Sequence, residues 1–99
     1  MSDAYPTKDD EQRIINWPYD DRLPMMHFIE SIWWMADWGW HWHTKVEGEQ
    51  RIRVYEISTG GWSGNESLIA AMRDNVVFWS MCWQQSRRGG HYIFHVVEP

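Results

Sequence analysis

Cysteine is nearly absent. Cys82 stands alone, so no disulfide can form within the chain and the fold rests on noncovalent contacts. That usage fits a reducing compartment. Positive charge is scarce as well, with nine Lys and Arg against fourteen Asp and Glu for a formal net charge of −5. Such a balance repels phosphate backbones, which argues against direct nucleic-acid binding and is compatible with a partner that is itself basic. Long apolar runs are missing too, every hydrophobic stretch being broken well short of the roughly 18 residues a membrane-spanning helix needs. Residues 1–12 are polar and acidic, without the apolar segment that marks a signal peptide. With 99 residues there is no room for a second core, so the expectation is one soluble, cytoplasmic domain without a cofactor.

What is abundant is tryptophan, nine in all. Each aromatic side chain buries roughly 150–250 Å², so a few supply most of the driving force in a domain this small. Nine exceed what one small core encloses, and partly exposed tryptophans are common anchors of protein interfaces. The acids are unevenly spread: residues 1–30 hold Asp3, Asp9, Asp10, Glu11, Asp20, Asp21 and Glu30 against Lys8, Arg13 and Arg22.

Along the chain, residues 1–12 read as a flexible acidic arm and 13–99 as a single α+β domain. Residues 14–19 (Ile-Ile-Asn-Trp-Pro-Tyr) read as an extended strap. Asp20 and Asp21 offer N-caps to a helix with Pro24 in its first turn. Met25, Phe28, Ile29, Ile32, Trp33 and Ala36 form its buried stripe, and it should end near Asp37. The period then falls to two: Trp38, Trp40, Trp42, Thr44 and Val46 alternate with Gly39, His41, His43 and Lys45, predicting a strand. A turn at 47–49 leads to a return strand over 51–57, with Ile52 and Val54 on one side. Ser63-Gly-Asn-Glu66 fits a capping box for a second helix running to about Asp74. The β-formers Val76, Val77, Phe78 and Trp79 favour a strand over 76–83, the alternative being a longer second helix. Arg87-Arg88-Gly89-Gly90 predicts a hairpin into a last strand, Tyr92–Val97. The fold expected is a four-stranded antiparallel sheet with two helices on one face, in the order α-β-β-α-β-β.

Four groups of residues are candidates for chemistry. His41 and His43 share one strand face, as do His91 and His95; zinc would need their strands adjacent, and no zinc spacing is present. Ordinary sheet histidines are the plainer account, and no metal is expected. Gly60, Gly61, Ser63 and Asn65 precede a helix whose N-terminal N–H groups suit an anion, with Arg87 and Arg88 adding charge if their hairpin lies alongside. The loop lacks the lysine of a phosphate-binding loop, and a well-made turn explains it equally. Cys82, set in an aromatic run, reads as a small hydrophobe and not a nucleophile. No Ser/His/Asp order or carboxylate pair stands out, so no catalysis is expected. Finally, Trp33 and Trp34 are adjacent on a helix and cannot both face inward, which marks Trp34, with loop residue Trp62, for partner contact.

The segments Ile57-Ser-Thr-Gly-Gly-Trp-Ser-Gly-Asn-Glu66, Phe78-Trp79, Cys82-Trp83 and Ser86-Arg-Arg-Gly-Gly-His-Tyr92 resemble a family of small, mostly uncharacterised bacteriophage and prophage proteins. The resemblance covers the C-terminal half and carries no activity to any residue. It implies a bacterial cytoplasm and a host or phage protein as partner. The expectation is a non-catalytic phage-derived interaction protein that inhibits a nucleic-acid-targeting defence, as anti-CRISPR proteins do. Asp9, Asp10, Glu11, Asp20 and Asp21, with Trp34 and Trp62, would form its contact surface, and exposed aromatics would also suit a homodimer. The alternative is a phosphate-bearing small ligand, or nucleic-acid phosphate, bound by the Gly60–Asn65 loop with Arg87 and Arg88.

Overall fold

The computed structural model describes residues 5–99. Helix α1 (Lys8–Ile15) is fixed by a capping box: Asp10 N–H donates to Thr7 Oγ1 and Thr7 N–H to Asp10 Oδ2, each at 3.0 Å. Asp9, Asp10 and Glu11 occupy its first turn, where the helix dipole favours negative charge. Residues 8–12, expected in a flexible arm, are therefore helical, and residues 1–4 of that arm lie outside the described residues. Ile14 and Ile15, expected in an extended strap, are helical too, and Ile14 is fully buried.

A 3₁₀ turn (Tyr19–Asp21) leads into α2 (Arg22–Ile32), which buries Met25, Met26 and Ile29. Asp21 stands at the N-cap of α2 as expected, but its side chain makes no capping bond; the carboxylate accepts Trp17 Nε1–H at 2.9 Å. The helix stops before the expected Asp37. Trp33 turns extended (ψ 127°) and its ring enters the core, donating Nε1–H to the Ser58 carbonyl at 3.2 Å. A single turn, α3 (Ala36–Gly39), follows, so Trp38 is helical and the strand starts two residues later than the alternation predicts. Gly39 allows the close approach there, since a Cβ would stand 2.6 Å from the Ser58 carbonyl oxygen.

Strands β1 (Trp40–Glu47) and β2 (Gln50–Ser58) form the first hairpin, and β3 (Trp83–Arg87) and β4 (His91–Val97) the second. Gly89 and Gly90 make the second turn at φ +88° and +80°, as their sequence predicts. All pairings are antiparallel, in the order β1-β2-β4-β3. Between the hairpins run α4 (Ser63–Asp74) and α5 (Val76–Cys82). The α+β class and the four-stranded antiparallel sheet agree with expectation, but among the described residues five helices stand where two were expected.

The largest correction is at 76–83, which is helix up to Cys82. Asn75 decides it. Its Oδ1 accepts Phe78 N–H at 3.3 Å, capping α5, while Nδ2 donates to the carbonyls of Ile14 (2.8 Å) and Trp17 (3.0 Å). Phe78 and Cys82, one turn apart, are then both fully buried. The capping box expected at Ser63 does not form either: Trp62 is the N-cap of α4, and the Glu66 carboxylate accepts from the Thr59 hydroxyl at 3.4 Å.

The core lies between the sheet and the helices. Trp40, Tyr55, Ile57, Phe94 and Val96 pack there against Ile14, Met25, Ile29, Leu68, Met72 and Phe78. Arg22 ties the two layers, donating Nε–H to the Val97 carbonyl at 2.8 Å while its guanidinium covers the Tyr19 ring. Among the described residues no helix covers the opposite sheet face. Ile52 and Val54 lie on it, and the long side chains of neighbouring strands bury them.

Candidate interaction surface

Helix α5 reads Val-Val-Phe-Trp-Ser-Met-Cys and carries no charge. Its inward side is taken up by Phe78 and Cys82, both fully buried, and by Trp79, half-buried against the Phe94 ring; Ser80 is its one polar side chain. Val76, Val77 and Met81 face out, 68 %, 58 % and 59 % exposed. Val77 and Met81 are one turn apart and so share a face. On the other side of α5 Trp79 stacks on Trp83 (centroids 6.0 Å, planes 15° apart) under the Arg73 guanidinium, and Trp83 is itself exposed. Large apolar side chains exposed together on one helix of a small chain are a mark of interaction sites.

The acidic N-terminal segment meets the start of α5. Asn75, which caps α5, holds the Ile14 and Trp17 carbonyls. Asp20 and Asp21 adjoin Tyr19, and Asp74 ends α4 just before Asn75; all three are exposed. Two of the five acids expected at a contact surface have internal duties, Asp10 in the α1 cap and Asp21 on Trp17. Asp9 is exposed and Glu11 half-buried, both on α1.

Trp34 and Trp62 come together, but with each other. Their rings stack at 4.7 Å, and Tyr5 stacks on the far side of Trp62 at 5.1 Å. Both are only half-exposed. Trp33 is buried while Trp34 is not, as expected, though both lie beyond the end of α2 and not on a helix.

The residues proposed for anion binding separate. Asn65 is buried, and its side chain is used up: Oδ1 accepts Trp34 N–H at 2.8 Å, and Nδ2 donates to the carbonyls of Trp34 (3.0 Å) and Thr59 (3.3 Å). Tyr5, Pro6 and the Trp62 indole crowd Gly64, covering the start of α4. Gly60 packs under Trp38, and Gly61 N–H donates to Thr59 Oγ1 at 3.3 Å. Ser63 and Arg88 are exposed. The hairpin does reach the loop, with Thr59 N–H donating to the Gly90 carbonyl at 3.0 Å, but Arg87 points onto the uncovered sheet face.

On that face stand all four sheet histidines. β2 separates His41 and His43 on β1 from His91 and His95 on β4, and His43, Val54 and His95 lie in one row. Among the described residues no three His, Cys, Asp or Glu side chains converge as a metal site would require. Burial, aided by the nearby Lys45 charge, holds the His95 pKa below the ordinary imidazole value. Burial likewise pushes the Cys82 thiol up to about 11, so it stays protonated and is no nucleophile at neutral pH.

Sequence reasoning missed the outward face of α5 because it took 76–83 for a strand. The signal was present in the four-residue spacing of Phe78 and Cys82 behind Asn75. No helix among the described residues is long and apolar enough to cross a membrane. Set against protein families, curated proteins and solved structures, the chain matches none.

Proposed function

We propose that this is a non-catalytic binding protein that docks a partner protein through the outward face of α5. The observation that carries this reading is a helix without charge whose Val76, Val77 and Met81 meet solvent. Asp74 precedes α5 and the acidic N-terminal segment meets its start through Asn75, an arrangement suited to a partner with a hydrophobic patch and a basic rim. A protein that handles nucleic acid has such a rim. Together with the resemblance to small phage proteins, this favours inhibition of a host nucleic-acid-targeting defence, in the manner of anti-CRISPR proteins, as the biological role.

The test is affinity capture from host lysate at moderate salt, with the wild type beside the double variant Val77→Asp, Met81→Asp. The wild type is expected to retain one specific protein that the double variant loses, with both chains equally folded by circular dichroism. Equal retention by both, or no specific protein on the wild type, contradicts the reading. So does a wild-type dimer in sedimentation that the double variant dissolves, because α5 would then be a contact between copies.

A further inference from the structure

The uncovered face of the sheet holds a cleft of about 300 Å³ lined by His41, Glu56, Ser58, Arg87, His91 and Ile93. The strand register arranges them in two ranks. Ser58, His91 and Arg87 stand side by side on β2, β4 and β3, and the next rank runs His41, Glu56, Ile93 across β1, β2 and β4. We propose that this cleft binds a phosphate monoester bearing hydroxyl groups, of the sugar-phosphate kind, with its phosphate on the first rank and its hydroxyls on the second.

The first rank is built of donors. Most arginines are engaged elsewhere: Arg13 and Arg73 cover aromatic rings, Arg22 holds backbone carbonyls, and Arg51 and Arg53 pair with Glu98. Arg87 has no carboxylate partner among the described residues, only the Gln85 Oε1 at 3.2 Å, so its planar fork is available. Beside it His91 Nδ1 and Ser58 Oγ are hydrogen-bonded to each other. When the hydroxyl donates, the other ring nitrogen, Nε2, carries the proton, and Gly89 beside it has no side chain to block approach. Strands about 4.8 Å apart space the guanidinium and imidazole as two oxygens of one tetrahedral anion can bridge.

The second rank is built of acceptors. His41 Nε2 lies 2.8 Å from the Trp38 carbonyl, which only accepts, so that nitrogen carries the proton. In the neutral ring Nδ1 is then a free acceptor beside the Glu56 carboxylate. Glu56 repels a bare anion but accepts from a hydroxyl, and Ile93 offers an apolar floor for the carbon skeleton of a sugar. Donors at one end and acceptors at the other distinguish the cleft from a simple anion patch.

Histidine Cε1–H and amide NMR shifts, followed while ribose 5-phosphate, inorganic phosphate or ribose is added, test this. Ribose 5-phosphate is expected to move the His41 and His91 signals and to bind several-fold tighter than inorganic phosphate, while ribose leaves them still. Arg87→Gln should weaken ribose 5-phosphate about tenfold, the usual scale for a lost charge-assisted pair. Glu56→Ala should abolish the preference over inorganic phosphate without weakening phosphate itself. Any of three results overturns the proposal: unmoved imidazole signals at millimolar ligand, Arg87→Gln binding as the wild type does, or shifts confined to the Gly60 and Gly61 amides.

Discussion

Two indoles a few ångströms apart show how much one hydrogen bond decides. Trp33 and Trp40 meet edge to face at 5.3 Å and are about equally buried, but Trp33 Nε1–H has the Ser58 carbonyl while Trp40 Nε1–H has no acceptor among the described residues. Replacing Trp33 by Phe takes the indole donor from a half-buried carbonyl; replacing Trp40 by Phe removes a donor that had no partner. Urea unfolding should therefore find Trp33→Phe less stable than Trp40→Phe by about 1–2 kcal/mol. Equal midpoints would show that the Trp33 bond contributes nothing. At Cys82 burial acts on a proton. A thiol raised to about 11 by the fold and ordinary when unfolded favours the native state fully below about 9, and that contribution is lost as pH climbs through 11. Iodoacetamide at pH 8 should leave Cys82 unmodified in the native protein and label it within minutes in urea. Rapid native labelling would contradict the buried placement.

The elements differ in how plainly they are written. The two hairpins were legible because alternation at Trp40–Val46 and the paired glycines at 89–90 are local signals that tertiary contacts reinforce. The capping box at Thr7 and Asp10 was equally local but lay in a segment dismissed for its charge. The stretch at 76–82 was not legible by propensity, because Val, Phe and Trp favour strands, and the helix arises from long-range bonds between Asn75 and the Ile14 and Trp17 carbonyls. The two structures make opposite demands. A strand would bury Val77, Trp79 and Met81 together, whereas the helix buries Phe78 and leaves Val77 in solvent. Phe78→Ala should accordingly cost about 3–5 kcal/mol in denaturant unfolding, against about 0.5 or less for Val77→Asp. A reversal of that order would restore the strand. The candidate site followed the same divide: the histidine faces could be read from period two, but that β2 separates them, that Asn65 is spent on Trp34 and that Arg87 lies on the uncovered face depend on strand order.

At the scale of the whole molecule, one sheet divides two kinds of surface. Its covered face holds the core under five helices, the last of which turns uncharged residues outward, and its bare face collects four histidines, Arg87 and Glu56. Methionine reports on the first surface directly, since Met25, Met26 and Met72 are sealed in the core while Met35 and Met81 are more than half exposed on α3's approach and on α5. Peroxide oxidation followed by mass spectrometry, with and without the captured partner, therefore tests the central claim. In the free protein Met35 and Met81 should oxidise quickly and the three core methionines slowly; with the partner bound, Met81 alone should become slow. A free protein whose Met81 resists peroxide as Met72 does, or a complex in which Met81 oxidises at its free rate, would contradict an α5 face held open for docking.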